Sequence, residues 1–287
     1  MSNPKSDRLL RRGKQIKTYE LMDKIGEGGY GVVFSAKDLA GSKYALKVQR
    51  NNKIAQRELE LMQLSQGSPY LVQLIESFVD NDYMYFVQEL FFFSLWQWLN
   101  TYQSISPQNT CRVMLQTICA LKHLFNKGVS HRDVNAANVM FDEQATKCVL
   151  IDLGCGKKSR SAKRFSTLSF NTVVHAAPSL NEGGEHQVWD DVISVAFLGL
   201  VCRLKPVYLK FNSESGKKMI EKKRNFLQDP GSLITKPSDA FLVPVIQQIV
   251  KCNKRRESYA VVLNVIEAQF PSVNLKSDFD RNGNRLA

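Results

Sequence analysis

The sequence contains neither a closely spaced cysteine pair nor a long uninterrupted apolar run. Its six cysteines are scattered and form no C-x-x-C motif, which argues against a structural zinc site and predicts reduced thiols in a cytoplasmic or nuclear protein. The longest apolar stretch, 83–98, is broken by polar side chains, so it falls short of the ~20 residues that a membrane-spanning helix needs. The basic N-terminus has no apolar core of the kind found in secretory signals. We therefore expect no membrane partner.

Acidic residues are scarce relative to basic ones. The chain has 39 Lys and Arg against 27 Asp and Glu, a formal net charge of +12. This excess is compatible with a generally solvated basic surface and also with a polyanionic or phosphorylated partner. The aromatic residues at 91–98 are expected in the protein core rather than on a base-stacking surface. No specific nucleic-acid partner is therefore predicted, and a monomer is assumed.

Hydrophobic patterning divides the chain into a strand-rich part and a helix-rich part. Residues 1–18 form a basic leader that is expected to be flexible. Strands are predicted at 19–25, 32–36, 43–48, 70–76 and 84–90, with one helix at 54–64. Residues 91–270 are mostly helical in spacing, with helices at 107–127, 191–204, 237–252 and 259–270, and 271–287 form a polar tail. Because strands precede helices without βαβ alternation, the fold class is α+β.

A glycine-rich segment lies between the first two predicted strands. Gly26, Gly28 and Gly31 follow a G-x-G-x-x-G spacing. Without a Cβ, such a loop brings backbone N–H groups close to phosphate oxygens. The motif also marks dinucleotide-binding folds and plain tight turns, but here it separates two strands instead of opening a helix. By itself the loop leaves these alternatives open.

A lysine lies in the middle of the third predicted strand. Lys47 occupies an apolar run, where it either faces solvent from a strand edge or holds phosphates beneath the glycine loop. The second role requires a carboxylate to fix its amine. The following helix supplies Glu58, whose spacing relative to its apolar neighbours points it inward, unlike Glu60.

The most specific residues follow the long helix. His131, Arg132 and Asp133 are followed by Asn138, and Asp152 comes later, in each case beside apolar strand-like runs. Phosphoryl transfer depends on positioning and charge neutralisation, so it needs metal ligands and a carboxylate that orients the acceptor hydroxyl. Asp and Asn oxygens are suitable ligands for Mg²⁺.

Taken in order, these motifs resemble the eukaryotic protein kinase superfamily over about 19–270. The resemblance implies a bilobal kinase fold, with a small β-rich N-lobe at 19–90 and a larger helical C-lobe at 91–270. It implies catalytic roles for Asp133, the base, and for Lys47 and Thr172. It implies Mg²⁺ ligation by Asn138 and Asp152. It implies an ATP site formed by Ile25, Gly26, Gly28, Gly31, Val33, Ala45, Lys47, Glu58, Glu89 and Phe91, with Gln88 as gatekeeper.

Several positions depart from the family pattern. Asn135 replaces the lysine that serine/threonine kinases place two residues after the base, and His175 replaces a tyrosine. Ser179 replaces the glutamate of A-P-E, which leaves Arg256 without its usual partner unless Glu182 substitutes. None of these changes removes the base, a metal ligand or the phosphate lysine. An active kinase is therefore favoured, while a pseudokinase scaffold and a small-molecule phosphotransferase remain as alternatives. Thr172 resembles the serine/threonine pattern and favours that acceptor class, although Ala136-Ala137-Asn138 resembles tyrosine kinases.

The segment between Gly154 and Thr172 carries several basic residues and no acidic one. It is either a solvated loop or a border of the acceptor site that attracts acidic or already phosphorylated protein substrates. A preference for such substrates would resemble the casein kinase 1 group, and the sequence at 185–191 also resembles that group. His131 is expected to be structural, and Cys155 a spectator.

Overall fold

The structure, a computed structural model, describes residues 10–29, 31–158, 174–184, 186–213, 216–273, 279, 281–282 and 285–286. A six-stranded antiparallel sheet forms the N-terminal lobe, in the order β1-β2-β3-β4-β6-β5. Its strands are β1 (Gln15–Ile16), β2 (Tyr19–Gly28), β3 (Gly31–Lys37), β4 (Lys43–Arg50), β5 (Leu74–Asp80) and β6 (Tyr83–Glu89).

Alternation along the strands gives this sheet two different faces. Phe34, Leu46, Val48, Tyr85 and Val87 belong to a hydrophobic cluster confined to the N-terminal lobe. Successive side chains in a strand point to opposite faces, so Val33, Ala45 and Lys47 lie on the other face. That second face is directed to the helix that follows β4 and to the cleft, and this is why a lysine can occupy an otherwise apolar strand.

Two strand boundaries differ from those predicted. The sheet begins at Gln15, because β1 pairs with β2 and Ile16 is buried, so part of the leader that was expected to be flexible belongs to the sheet. The strand predicted at 70–76 begins at Leu74. Ahead of it, Leu71 makes only an isolated bridge to Leu150.

Helix α1 (Lys53–Leu64) packs behind the cleft face of the sheet. The Asn52 side chain accepts hydrogen bonds from two backbone N–H groups of the first turn, which satisfies donors that have no partner within the helix. Ala55, Glu58, Leu61 and Met62 are its buried residues. Their spacing places the Glu58 carboxylate on the same buried side as the apolar residues.

The C-terminal lobe is mainly helical. Its helices are α2 (Leu95–Tyr102), α3 (Pro107–Asn126), α4 (Pro178–Asn181), α5 (Asp190–Ser213), α6 (Gly216–Gln228), α7 (Leu242–Arg255) and α8 (Tyr259–Gln269). Helix α3 begins as predicted, with Ser106 capping the Asn109 N–H. It ends at Asn126, and Gly128, two residues further on, has a φ of 68°, which favours glycine. The helix predicted from 237 starts with a short 3₁₀ turn, Pro237–Asp239, and α7 follows it.

Helix α5 is the central apolar helix of this lobe. The segment Asp190–Phe211 has the length and composition of a membrane span, contrary to the expectation from uninterrupted apolar runs, but 67% of its most apolar window is buried within the protein. Its backbone leaves helical geometry at Leu204 (φ −129°, ψ 47°), two residues before Pro206. Proline clashes with the preceding turn and lacks an N–H, which explains the break where the predicted helix ended.

Sequence patterning missed helix α6 and part of the tail. In α6, Met219, Ile220, Lys223 and Phe226 are buried, a helical spacing obscured by the many lysines. The tail is not wholly loose, because Val273 and Phe279 are buried and Phe279 packs edge-on against Phe141.

Five short strands flank the loops that lie along the cleft between the two lobes. They are β7 (Phe93–Ser94), β8 (Val129–Ser130), β9 (Val139–Phe141), β10 (Cys148–Leu150) and β11 (Lys157–Lys158). β9 pairs with both β7 and β10, and β8 pairs with β11. The chain also forms a hairpin of β12 (Arg281–Asn282) and β13 (Arg285–Leu286). The loops after β8 and β10 carry the polar residues predicted to be functional.

Candidate active site

The register of the sheet aligns the predicted phosphate-binding residues. Gly26 lies opposite Val33, Val33 opposite Lys47, and Lys47 opposite Phe86. In the next row of this face, Ala45 lies opposite Gln88. Paired residues on one face of a sheet are near neighbours. Antiparallel pairing thus brings the glycine loop, the lysine and the start of the segment between the lobes to one surface.

Lys47 is buried and ion-paired with both lobes. Its Nζ lies 2.6 Å from Glu58 Oε1 and 2.9 Å from Asp152 Oδ1. Burial lowers the pKa of Lys47, but the carboxylates of Glu58 and Asp152 have the larger opposite effect, so the pKa is raised overall. Gln49 Nε2 donates to the second Glu58 oxygen at 2.9 Å. The predicted Lys47–Glu58 pair is therefore present.

Gln49 was missed in the sequence, although it is two residues from Lys47 and hence on the same face of β4. Glu60, the rejected alternative, is exposed and pairs with Lys158. The helix thus turns one glutamate inward and the other outward, as the spacing predicted.

A buried aspartate on α5 holds the loop after β8. Asp191 accepts hydrogen bonds from the backbone N–H groups of His131 (2.7 Å) and Arg132 (2.8 Å). Burial alone would raise the pKa of Asp191, but His186, His131 and the Arg132 N–H group lower it. His131 is fully buried and its Nε2 lies 3.0 Å from the Ile151 carbonyl oxygen. These contacts agree with a structural role for His131.

Asp133 stands at the end of this anchored loop. Its Oδ1 accepts hydrogen bonds from Asn135 Nδ2 (2.9 Å) and from His175 Nε2 (3.0 Å). Its Oδ2 accepts from Asn138 Nδ2 at 2.9 Å. Burial opposes ionisation, but His175, His131 and Asn135 together lower the pKa of Asp133. The carboxylate is therefore ionised at neutral pH, as a proton acceptor must be.

Asn135 has a definite structural task where the family has lysine. Its Oδ1 accepts the backbone N–H groups of Ala137 (2.8 Å) and Asn138 (3.1 Å). Its Nδ2 donates to Asp133. One side chain therefore caps the turn and also holds the carboxylate. A lysine could not do both, because its side chain has no hydrogen-bond acceptor.

Asp152 adopts a backbone conformation that is uncommon outside glycine. Its φ is 67°, a left-handed conformation that concentrates at functional sites. Its Oδ1 accepts from Lys47 and from the Gly154 N–H (3.0 Å). Burial raises the pKa of Asp152, but the Lys47 charge outweighs it and the net shift is downward. The carboxylate thus faces the cleft ionised.

The described residues contain no cluster of three or more His, Cys, Asp or Glu that would hold a metal by itself. Two ligands, Asn138 and Asp152, still suit Mg²⁺, because this ion commonly binds one or two protein oxygens and takes the rest of its octahedron from water and phosphates. The amide of Asn138 donates to Asp133 through Nδ2, so its Oδ1 is the atom suited to a cation.

The glycines of the loop serve different purposes. A Cβ on Gly31, whose φ is 139°, would lie 2.3 Å from the Val48 carbonyl oxygen, so the fold itself requires this glycine. A Cβ on Gly28 or Gly29 would meet nothing within 4 Å. Glycine there keeps the backbone open to a ligand. Ile25, also predicted to bind ATP, is 48% exposed at the end of this sheet.

The predicted adenine site lies where β6 leaves the sheet. Gln88 Nε2 contacts Met62 Sδ at 3.5 Å. Glu89 Oε2 is buried and has no hydrogen-bond partner among the described residues, and Phe91 packs against the main core. A buried acceptor without a donor costs free energy, which a ligand with an N–H group would recover.

The basic segment is described only at its start. Lys157 and Lys158 form β11, and Lys158 pairs with Glu60, so these two positions belong to ordered structure. The remaining basic residues of the segment and Thr172 lie outside the described residues.

The end of this segment is anchored by Lys223, not by the family's ion pair. Glu182 pairs with Arg224 at 2.5 Å, so it does not replace the glutamate expected opposite Arg256. Instead the fully buried Lys223 Nζ donates to the Ala176 carbonyl oxygen and to Asn181 Oδ1. The sequence offered the helical spacing of α6 as a signal, but not this contact.

Lys223 makes the stability of the lobe depend on pH. Burial lowers the pKa of Lys223 from 10.5 to about 7, so above pH 7 the unfolded chain holds a proton there that the folded chain lacks. The free energy of unfolding should therefore rise with pH, by up to about 1.4 kcal/mol per unit. Chemical denaturation of the wild type and of Lys223→Met should give a stability difference that grows from pH 7 to pH 9. The exposed Lys217→Met is the control, and parallel profiles for Lys223→Met would contradict the assignment.

Comparison with known proteins agrees with this geometry. The model of the protein kinase domain family matches residues 19–262. The protein named "Probable serine/threonine-protein kinase zyg-1" of Caenorhabditis elegans is 30% identical over 149 residues, 50% of this chain and 21% of the relative. Serine/threonine-protein kinase ppk16 of Schizosaccharomyces pombe is 28% identical over 66% of this chain and 28% of the relative.

Serine/threonine-protein kinase AtPK2/AtPK19 of Arabidopsis thaliana is 27% identical over 64% of this chain and 40% of the relative. The chain thus matches less than half the length of these relatives. The predicted bilobal α+β fold is confirmed by the two lobes and by the family match. The chain belongs to the protein kinase domain family.

Proposed function

We propose that the protein is an ATP-dependent serine/threonine kinase that transfers the γ-phosphate to hydroxyl groups of protein substrates. The observation that carries this proposal is the cleft-spanning ion pair of Lys47 and Asp152 at 2.9 Å. It brings the phosphate lysine of one lobe to the metal ligand of the other. A scaffold without catalysis would have no need for these buried charges beside an ionised Asp133, since burying charges costs free energy.

Each residue then has a chemical role. Backbone N–H groups at Gly28 and Gly29 and the Lys47 amine bind the phosphates, and Glu58 and Gln49 hold the amine in place. Asn138 and Asp152 would hold Mg²⁺, which neutralises charge on the phosphates when bound. Asp133 orients the acceptor hydroxyl and accepts its proton as the oxygen attacks phosphorus and the bond to ADP breaks. The open acceptor on Glu89 supports placing the base of the nucleotide beside it.

The pseudokinase alternative predicts nucleotide binding without transfer. The test is incubation of purified protein with Mg²⁺ and γ-labelled ATP on generic protein substrates, followed by identification of the phosphorylated amino acid. We expect label on serine and threonine. Label on tyrosine alone would contradict the acceptor class, and label on small-molecule alcohols but no protein would favour a metabolite kinase.

We further propose that substrates are acidic or already phosphorylated proteins, encountered in the cytoplasm or nucleus. Support comes from the net charge of +12, since a basic surface attracts anionic partners and this attraction weakens with salt. Within the described residues, Lys158 adds little to this attraction, because its charge is already paired with Glu60.

Peptides with acidic, neutral or basic residues flanking one serine test this proposal at low and moderate salt. We expect the acidic series to have the highest kcat/KM and the greatest salt sensitivity. An acidic-to-alanine exchange at positions far from the serine is the matched control, and preference for basic flanks would contradict the proposal.

A further inference from the structure

The segment that leads into α4 contacts the proposed base directly. His175 Nε2 lies 3.0 Å from Asp133 Oδ1, and the His175 side chain is only 16% exposed. We propose that His175 is a positioning residue that fixes the Asp133 carboxylate for phosphoryl transfer. This inference rests on the proposed function and assigns a part of that site which the sequence pattern left in doubt.

The direction of the hydrogen bond follows from the chemistry of the two groups. An ionised carboxylate only accepts hydrogen bonds, so His175 must carry a proton on Nε2 and donate it. Hydrogen bonds to an ionised acceptor are shorter and stronger than neutral ones. The contact therefore restrains the carboxylate more firmly than a neutral pair would.

The described donors are distributed unevenly between the two oxygens of Asp133. Oδ1 accepts from both Asn135 and His175, whereas Oδ2 accepts from Asn138 among the described residues. Two donors occupy most of the capacity of one oxygen. We therefore assign Oδ2 as the oxygen that receives the proton of the acceptor hydroxyl, with Oδ1 as the fixed end of the carboxylate.

The backbone around His175 is held firmly enough to serve this purpose. Its neighbours Val174 and Ala176 are each 4% exposed and belong to the main core. The Ala176 carbonyl oxygen accepts a hydrogen bond from the buried Lys223. A chain of direct contacts therefore connects α6 to the base, from Lys223 through Ala176 and His175 to Asp133.

The test replaces the donor while keeping the bulk of the side chain. In His175→Phe the ring remains but the N–H is lost, whereas in His175→Gln an amide N–H can reach the same position. Misplacement of a reacting group by about 1 Å can cost on the order of 10²-fold in rate. We expect kcat to fall about 10- to 100-fold in His175→Phe, with the KM for ATP and for peptide nearly unchanged, and to recover to within about threefold in His175→Gln.

Melting temperature, with and without MgATP, shows whether each variant is folded. If His175→Phe does not fold, His175→Leu, which also lacks the donor, takes its place. Equal kcat values for the Gln variant and a folded donorless variant would overturn the proposal, as would a loss confined to KM. An inactive wild type would instead refute the proposed function, so the two failures are distinguishable.

Discussion

Asp133→Asn should nearly abolish phosphate transfer while leaving MgATP binding in place. In the proposed reaction this carboxylate accepts the proton of the substrate hydroxyl, and loss of a positioned base costs about 10²–10⁴-fold in rate. The described hydrogen-bond donors to the Asp133 carboxylate are Asn135, Asn138 and His175, and none belongs to the glycine loop or is Lys47. Nucleotide binding should therefore still raise the melting temperature by mass action.

Two quantities are measured for each variant. One is the initial rate of phosphate transfer to a peptide, and the other is the shift in melting temperature caused by millimolar MgATP. Asp133→Ala checks that the result does not depend on the new amide, which places an N–H where Asn138 now donates. The exposed Asp82→Asn is the matched control and should match the wild type. Near-normal turnover in Asp133→Asn would show that another group is the base.

Lys47→Met should eliminate transfer and also destabilise the fold. The substitution leaves Glu58, which is 1% exposed, as a buried carboxylate without its cation. Breaking a buried pair on one side costs about 3–5 kcal/mol, because the remaining charge is uncompensated. The same substitution removes the proposed phosphate contact and the ion pair with Asp152, one of the contacts between the lobes.

A double-mutant cycle separates these two consequences. Lys47→Met combined with Glu58→Gln should recover a large part of the lost free energy of unfolding, because the remaining side chain is neutral, but should recover no transfer. Lys43→Met, an exposed lysine of the same strand, is the control for both measurements. Recovery of activity in the double variant would contradict the role of Lys47, and additive stability losses would contradict the buried pair.

Residues whose environment is set by local pattern could be predicted from the sequence. Helical spacing predicts that Glu58 points inward, and the glycine-rich segment ahead of the Lys47 strand indicates a phosphate-binding lysine that needs such a carboxylate. The start of α3 just after Ser106 and its end shortly before Gly128 follow from capping chemistry. The order of Asp133, Asn138 and Asp152 was enough to place them in one site, since the resemblance supplied the fold that joins them.

Contacts between distant segments could not be predicted in this way. His175 reaches Asp133 across 42 positions, and Lys223 reaches Asn181 across the same separation. Such long separations carry no helix or strand periodicity, so the local sequence gives no indication that these residues are in contact. Lys223 also contradicts the usual expectation that lysines lie on the surface, which is why α6 was overlooked. The expected activation-segment residue, Thr172, lies outside the described residues, so its role stays a prediction.

The departure at Asn135 also has a physical explanation that the sequence alone did not reveal. A lysine at this position would offer only donors, whereas the amide donates to Asp133 and accepts two backbone N–H groups. The loop is organised around this amide. Its presence is therefore compatible with an intact site and does not by itself mark a pseudokinase.

If Lys47, Asp133, Asn138 and Asp152 form one site that transfers phosphate, transfer must require both Mg²⁺ and the Asp152 carboxylate. A single-turnover reaction with γ-labelled ATP and a serine peptide, run with Mg²⁺ and after chelation, compares the wild type with Asp152→Asn. We expect label on the peptide serine only for the wild type with Mg²⁺. Intact ATP bound to a folded wild-type protein, or label released as free phosphate with none on the peptide, would contradict this expectation.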